Sequence, residues 1–518
     1  MLQNRREPRI SNLCIILFLT TMLPFTIQAD SIRFSEVMKQ SGIKQIGQSW
    51  GISWGDFNAD GHPDFWSSNH FANDSIHVNL GDGTFRDQTR YILPPNTLGG
   101  DTHGGSWGDF DNDGAQDLLI LSGGTNWQSP ELGHANKLLQ NRGSDMVDIA
   151  ECSNMTISRL RGRTPSWIDI DRDGRLDMLM TARAMENDPL PPSIYIQTDQ
   201  GFEEASSRIG FTPESDAQIP HAALADLTGD GILEIIYRGA SLTIYDPATL
   251  PMRDITALVL PNHTEIFGRA EDTDMAVADF DNNLKMDLFI THKRKTDLFL
   301  LNSGTALELR ELEIQGMEPE SRYQGRSVVA GDFDNDMDID LYIVVSEQRK
   351  NLPNILLENL SNMTFRIVPD AGGAAGTLLG RGDSVAMADY DNDGFLDLLV
   401  VNGDWPKLSR DNAPYQLFRN LGNDNTWLQI ELEGTTSNRD AIGAQVYVTA
   451  GGRTQLREQN GGMHNKSQNH TRIHFGLAQQ DRVEELRIRW PSGIEQVMSD
   501  IPANQIIRVI EPDRASTQ

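Results

Sequence analysis

Short apolar runs of four or five residues recur along the chain between acidic, glycine-rich breaks, as at residues 118–121, 341–345 and 398–401. Runs of that length, bounded by turn residues, predict strands rather than helices. Before each of them stands another β-type stretch, such as residues 274–278 or 384–388, which stops at an aspartate. A third run ends near an Asn-x-Gly turn, as in Val78-Asn79-Leu80-Gly81 and Phe418-Arg419-Asn420-Leu421-Gly422, and a fourth opens on Phe or Met, at Phe85, Phe202 and Met252. Four short strands per unit make one propeller blade.

The break between the first and second strand carries the chemistry. In Asp109-Phe110-Asp111-Asn112-Asp113-Gly114-Ala115-Gln116-Asp117 the side-chain oxygens fall at positions one, three, five and nine, with glycine at six. Calcium takes six to eight oxygens at ~2.3–2.6 Å, so one tightly curled loop must turn several carboxylates toward a point. The sixth residue must take a positive φ, which Gly114 allows. The opening is like an EF-hand loop, but no Glu stands at position twelve and strands flank it.

Seven such loops occur, with first aspartates 53 to 60 residues apart, a spacing that suits one blade per repeat. The first holds Asp56, Asn58, Asp60, Gly61 and Asp64, and the second is the one above. The third holds Asp169, Asp171, Asp173, Gly174 and Asp177, the fourth Asp226, Thr228, Asp230, Gly231 and Glu234. The fifth, Asp279, Asp281, Asn283, Leu284 and Asp287, has lost the glycine and one acid, so it is expected to bind most weakly. The sixth, Asp332, Asp334, Asp336, Met337 and Asp340, needs either a positive φ at Met337 or a different turn; the seventh holds Asp389, Asp391, Asp393, Gly394 and Asp397. Up to seven Ca²⁺ are expected. The last repeat has no fourth strand of its own, and residues 32–37 have the form to supply it from the other end of the chain.

Residues 1–29, with Arg5, Arg6 and Arg9 ahead of an apolar stretch, read as a cleaved export signal, and no later stretch is long and apolar enough to span a membrane. The expected location is secreted and extracellular, or periplasmic or cell-surface in a bacterium. Of two cysteines only Cys152 lies beyond the signal, so bound metal rather than disulfides is the expected staple. The net charge is −30, and the loop positions hold 25 of the 74 acidic side chains. Such a balance argues against nucleic-acid partners. Residues 30–425 thus form the expected propeller, residues 426–512 a small β-sandwich-like domain with Gly-rich turns at 451–452 and 461–462, and 513–518 a tail.

On these residues the repeats resemble the FG-GAP or VCBS repeats of integrin-α-type propellers, whose calcium loops share the D-x-D-x-D-G-x-x-D pattern. The carboxy-terminal segment is similar to the ASPIC and UnbV domain, through Asp440-Ala441-Ile442-Gly443-Ala444, the turn from Gly461-Gly462 to Ser467-Gln468, His474-Phe475-Gly476-Leu477 and Trp490-Pro491-Ser492-Gly493. The combination is the layout of the cartilage acidic protein family. The resemblance implies an all-β chain, a seven-bladed propeller with calcium loops followed by a small β domain. The animal members' cysteine-rich EGF-like segment has no counterpart here.

Three other motifs have plainer readings. Arg381-Gly382-Asp383 looks like an integrin-binding tripeptide, but Gly325-Arg326 and Gly268-Arg269 show that the Gly-Arg pair belongs to the repeat. Gly104-Gly105-Ser106-Trp107-Gly108 and Gly51-Ile52-Ser53-Trp54-Gly55 satisfy the nucleophile-elbow pattern twice in one register, ahead of a metal loop rather than a helix. His70, His103 and His221 have no zinc spacing and read as surface or inter-blade residues. Asn-x-Ser/Thr sequons begin at seven asparagines, Asn359 and Asn465 among them.

The function expected is a non-catalytic extracellular binding or adhesion module for a protein or glycan. It would bind through the central channel or through loops such as Gly123 to Ala135, Met185 to Pro192 and Asp404 to Pro414, which bring Trp127 and Trp405. The alternative is a calcium-dependent hydrolase or lyase acting on polysaccharide or lipid, which would need an acid and base outside the metal loops.

Overall fold

The apolar runs pair as antiparallel strands around each acidic loop. In the second unit Thr102–Gly108, Asp117–Ser122, Lys137–Asn141 and Met146–Asp148 form one sheet in chain order, and the described residues contain seven units of this kind. The computed structural model describes residues 32–513 apart from 45–48, 70–72, 98–100, 124–134, 156–161, 183–191, 214–220, 240, 263–271, 293–296, 317–324, 348–349, 362, 379–380 and 404–414. The export-signal reading, His70, Trp127, Trp405 and most of the three candidate partner loops fall outside the described residues.

Leu118, Leu119, Ile120 and Leu121 are all buried, because each sheet is covered on both faces by its neighbours; hence the unbroken apolar runs. The first strands of successive units touch in cyclic order, and that of the seventh, Arg381–Ala388, touches Ile52–Gly55 of the first. The result is a seven-bladed propeller. The closing strand comes from the amino-terminal side, as the sequence predicts: Phe34–Glu36 pairs with Gln416–Asn420, Phe34 opposite Asn420. Blade six carries an extra parallel strand, Glu313–Gln315, at its outer edge.

Two sets of polar bonds bind blade to blade. Ser53 Oγ donates to Gly105 O at 2.6 Å and the Trp107 indole donates to Ser53 O at 3.1 Å, with Trp167 repeating the bond on Ser106 O. A Cβ on Gly55 or Gly108 would come within 2.6 Å of the next blade's Trp107 or Trp167 ring. The elbow-like motif is therefore packing chemistry: the Ser53 hydroxyl is bonded to the next blade, and Ser106 is buried in the same register. The second set uses the asparagine that sequence reading took for a turn residue. The side-chain amides of Asn79, Asn141, Asn302, Asn359 and Asn420 donate to Tyr390 O, Phe57 O, Leu227 O, Phe280 O and Phe333 O at 2.8–3.0 Å, each oxygen being at position two of the preceding loop. Blade three has Gln197 in that place and blade four Pro247. Asn359 and Asn465 are buried, which removes both as sequons.

The carboxy-terminal strands form a sandwich of two sheets, one of Ile473–Ala478, Thr426–Glu433 and Gln505–Ile510, the other of Arg453–Glu458, Gln445–Ala450, Arg482–Arg489 and Glu495–Pro502. Its core includes Leu428, Val446, Phe475, Leu486 and Trp490. In Arg453–Glu458 and Glu495–Pro502 charged and polar residues break the alternation, so neither strand stands out in the sequence.

The sandwich also sends a hairpin, Met463–His464 and Ser467–Gln468, into the ring. It touches the first strands of blades one to five and seven, and Gln468 pairs in parallel with Ser53. Gln468 Oε1 accepts from Trp107 N at 2.7 Å while its amide donates to Trp107 O at 3.0 Å; His464 Nδ1 lies 3.0 Å from the buried Asp274, and Ser467 Oγ lies 2.6 Å from Ser384 Oγ. The central channel, expected from the sequence as one of two binding places, is thus occupied by the chain's own hairpin.

Replacing Asn302 by Leu strands the carbonyl of Leu227 and the N–H of Gly304, which its side chain now serves. The expected loss is about 1–3 kcal/mol of stability. Gln197 has a buried Oε1 without a hydrogen-bond partner in the structure, so Gln197→Leu should change stability by less than about 0.5 kcal/mol. Urea unfolding of the two variants beside the parent chain measures the contrast.

Candidate metal centres

One hydrogen-bond scheme recurs in all seven loops. The first-position carboxylate accepts the fifth and sixth N–H groups, as Asp109 Oδ1 does from Asp113 at 3.0 Å and Oδ2 from Gly114 at 2.8 Å. Asp56, Asp169, Asp226, Asp279, Asp332 and Asp389 repeat it. At position nine Asp64, Asp117, Asp177, Glu234, Asp287, Asp340 and Asp397 accept the N–H of position two. In six loops their other oxygen accepts the backbone N–H of the strap residue, which stands near the end of the third strand in the place of the blade-to-blade asparagine: Asn79, Asn141, Gln197, Asn302, Asn359 or Asn420. In the fourth, Pro247 has no N–H to give; there the acid is the longer Glu234, whose Oε1 accepts from Thr228 Oγ1 at 2.9 Å.

This curl gathers the acids. Oxygens of Asp109, Asp111 and Asp117 lie within 4.8 Å of one another, and so do those of Asp169, Asp171 and Asp177, of Asp226, Asp230 and Glu234, of Asp279, Asp281 and Asp287, and of Asp332, Asp334 and Asp336. The oxygen-only donor set suits a hard cation such as Ca²⁺. Fit is also indicated by Asp111 Oδ1 and Asp391 Oδ1, buried oxygens without a hydrogen-bond partner in the structure. Asn58 and Asn283 keep the third-position and fifth-position places, though their amide nitrogens turn toward Asp60 and Asp281 at 2.9 and 3.1 Å. Asp113, Asp173 and Asp230 are exposed, and Asp393 lies deeper and pairs with Arg419, which also meets Asp391.

The two loops without glycine keep the same backbone. Leu284 takes φ 65° and Met337 φ 79°, so the left-handed turn is made at both despite their Cβ atoms. Met337 is buried in the core of the carboxy-terminal sandwich, and that burial offsets the strain. Asp279, Asp281 and Asp287 gather as in the other loops, and three acids is also the count in the first and fourth, so what distinguishes the fifth is the amide of Asn283 at position five, not its shape.

Burial pushes the ninth-position acids up, Asp64, Asp177, Glu234 and Asp287 to about 8 and Asp117 to about 9, and neighbouring loop acids add to the rise. Asp340 and Asp397 are raised well above the usual carboxylate range for the same reasons. Burial, with Asp440 next to it, raises Asp109 to about 7.

The sandwich lies over these loops. Arg472 donates to Gly61 O and Asn392 Oδ1, Arg439 N donates to Asn112 Oδ1, and the Arg489 guanidinium donates to Asp230 O. Arg453 pairs with Asp338, Ala478 N donates to Asn335 O, and His474 lies 3.1 Å from Gly394 O. A Cβ on Gly394 would meet the Trp427 ring, and one on Gly476 would meet Asp332. Sequence reading left these capping residues out; the glycine in His474-Phe475-Gly476-Leu477 was the available signal.

The remaining motifs resolve as packing. Asp383 is buried in the ring and ion-paired with Arg326, which rules it out as an exposed adhesion carboxylate. His103 and His221 are buried, not on the surface; His103 stacks on Trp50 of the neighbouring blade, and burial lowers it to about 3. Cys152 is exposed.

Family models match this architecture: that of the FG-GAP-like repeat at residues 56–120, 169–237 and 332–400, and that named ASPIC and UnbV at residues 434–516. The chain carries FG-GAP-like repeats and an ASPIC and UnbV domain. Cartilage acidic protein 1 of Homo sapiens is 24% identical over 425 residues, which cover 78% of this chain and 62% of the human protein. That of Xenopus tropicalis is 24% identical over 435 residues, covering 79% and 64%. The chain thus spans a little under two thirds of the length of these relatives. An exotype rhamnogalacturonan lyase overlaps the structure loosely, with a TM-score of 0.38 at 13% identity over 85% of this chain and 77% of the lyase.

The raised acids fix a pH dependence. Their folded-state values lie above the unfolded value near 4, so without cations they stabilise the fold at low pH, and that contribution is lost as pH rises through about 8–9. In chelator the melting temperature should fall from pH 5 to pH 9. Added calcium, which displaces those protons, should raise it most at the alkaline end. Calorimetric melts across that range, with and without chelator, measure both trends.

Proposed function

We propose that the chain works outside the cell as a calcium-stabilised, non-catalytic binding module for a protein or glycan. The observation that supports this reading most is the covered loop face. The ASPIC and UnbV domain sits over the acidic loops and its hairpin fills the channel, so the ring end left for a partner is the opposite one. The connections after the second strands of blades two, three and seven lead from that end, and in sequence they carry Trp127 and Trp405, side chains of the kind that stack on a sugar ring or an apolar surface.

Calcium in these loops is the second half of the reading. Extracellular modules hold calcium with dissociation constants of about 10⁻⁴–10⁻³ M, which fills such sites outside a cell. Among the described residues no helix is long and apolar enough to cross a membrane.

A glycan array probed with the calcium-loaded chain, alongside Trp127→Ala and Trp405→Ala variants of unchanged melting temperature, tests the reading. Binding lost in a variant supports it. Turnover of a polysaccharide, abolished by changing one acid outside the seven loops, would replace it with the hydrolase or lyase alternative.

A further inference from the structure

The first aspartate of a loop has its own backbone N–H to satisfy. In the first loop the ring does so: Asp56 N donates to Gln116 Oε1 at 3.1 Å. In the second and fourth loops the ASPIC and UnbV domain does it instead, and with carboxylates. Asp109 N donates to Asp440 Oδ2 at 2.8 Å, and Asp226 N to Glu458 at 3.2 Å. The domain also donates to first-position carboxylates. The Gln445 amide lies 2.9 Å from Asp226 Oδ2, and that of Gln429 2.6 Å from Asp389 Oδ2, the oxygen already bonded to Gly394 N. Gln429 and Gln445 are buried and Asp440 and Glu458 half-buried, on strands or turns of the sandwich.

We infer that the ASPIC and UnbV domain is the outer coordination sphere of the second, fourth and seventh loops, so that cation binding and seating of the domain are one reciprocal equilibrium. The inference rests on the reading that these loops take calcium. Its sign follows from charge. Asp440 and Glu458 bring two further carboxylates against loops that already gather three or four, an approach that is unfavourable until a cation neutralises the loop. Cations therefore favour the seated domain, and by linkage the seated domain tightens the loops' hold on cations. Gln429 and Gln445 act as positioning residues, each fixing the rotation of a first-position carboxylate. The hairpin is the moving part, since the strand that leads into it contains Glu458 and unseating the domain draws Met463–Gln468 out of the ring.

Hydrogen exchange of the full chain, with calcium and with chelator, reads the coupling directly. Removal of calcium should speed exchange in the hairpin and at Trp107 N–H while ring strands such as Leu298–Asn302 keep their protection. Asp440→Asn with Glu458→Gln keeps acceptor oxygens but removes the charge, and should restore hairpin protection in chelator. Gln429→Leu with Gln445→Leu should weaken calcium binding, measured by calorimetric titration, by roughly tenfold. Calcium uptake without any change in hairpin exchange, or a uniform loss of protection around the whole ring, would overturn the inference while leaving the calcium reading intact. A titration that shows no calcium uptake overturns both.

Discussion

The dominant constraint on this molecule is the concentration of like charge. Twenty-five acidic side chains stand at the seven loops' ligand positions, and in loops two to six the oxygens of three acids are brought within 4.8 Å of one another by the curl that the loop's backbone hydrogen bonds impose. Burial makes each of those charges harder to carry, as the raised ninth-position acids show. Protons can relieve the repulsion, and so can divalent cations; at neutral pH and millimolar calcium the second suits an oxygen cage of this size. Arginine is a partial third solution, seen where Arg419 spans Asp391 and Asp393.

The loops are also the mechanical joints of the ring. A loop's second residue donates its N–H to the ninth-position acid and offers its carbonyl to the strap asparagine of the next blade. Charge balance inside one loop is therefore felt at the seam between two blades, and the seams of a closed ring act together. The ASPIC and UnbV domain adds a third layer over the same joints, with its hairpin along the axis. The ring and domain share polar bonds with the loops' own backbone, which is why the domain's glycines and glutamines face the propeller closely enough for a single Cβ to matter.

Much of this was legible in the sequence. The spacing of the aspartates gave the number of blades, residues 32–37 around Phe34 gave the ring closure, and two copies of the elbow-like motif in one register pointed to packing. What stayed hidden depends on contacts between residues distant in the chain. Asn302 reads as a turn former because its bond to Leu227 O spans 75 residues. The positive φ at Met337 looks like a defect until Met337 is seen inside another domain's core. The hairpin at 461–470 reads as a surface turn, and nothing local says that a ring will close around it. Asp383 looks available for adhesion because its buried partner, Arg326, lies one blade away.

The most direct measurement is the calcium bound to the purified chain in equilibrium dialysis against millimolar calcium, read by plasma mass spectrometry as the excess on the protein side. The account predicts several calcium ions per chain, approaching one per loop as free calcium rises, with the fifth the first to empty as it falls. A folded chain that retains no divalent metal would contradict it.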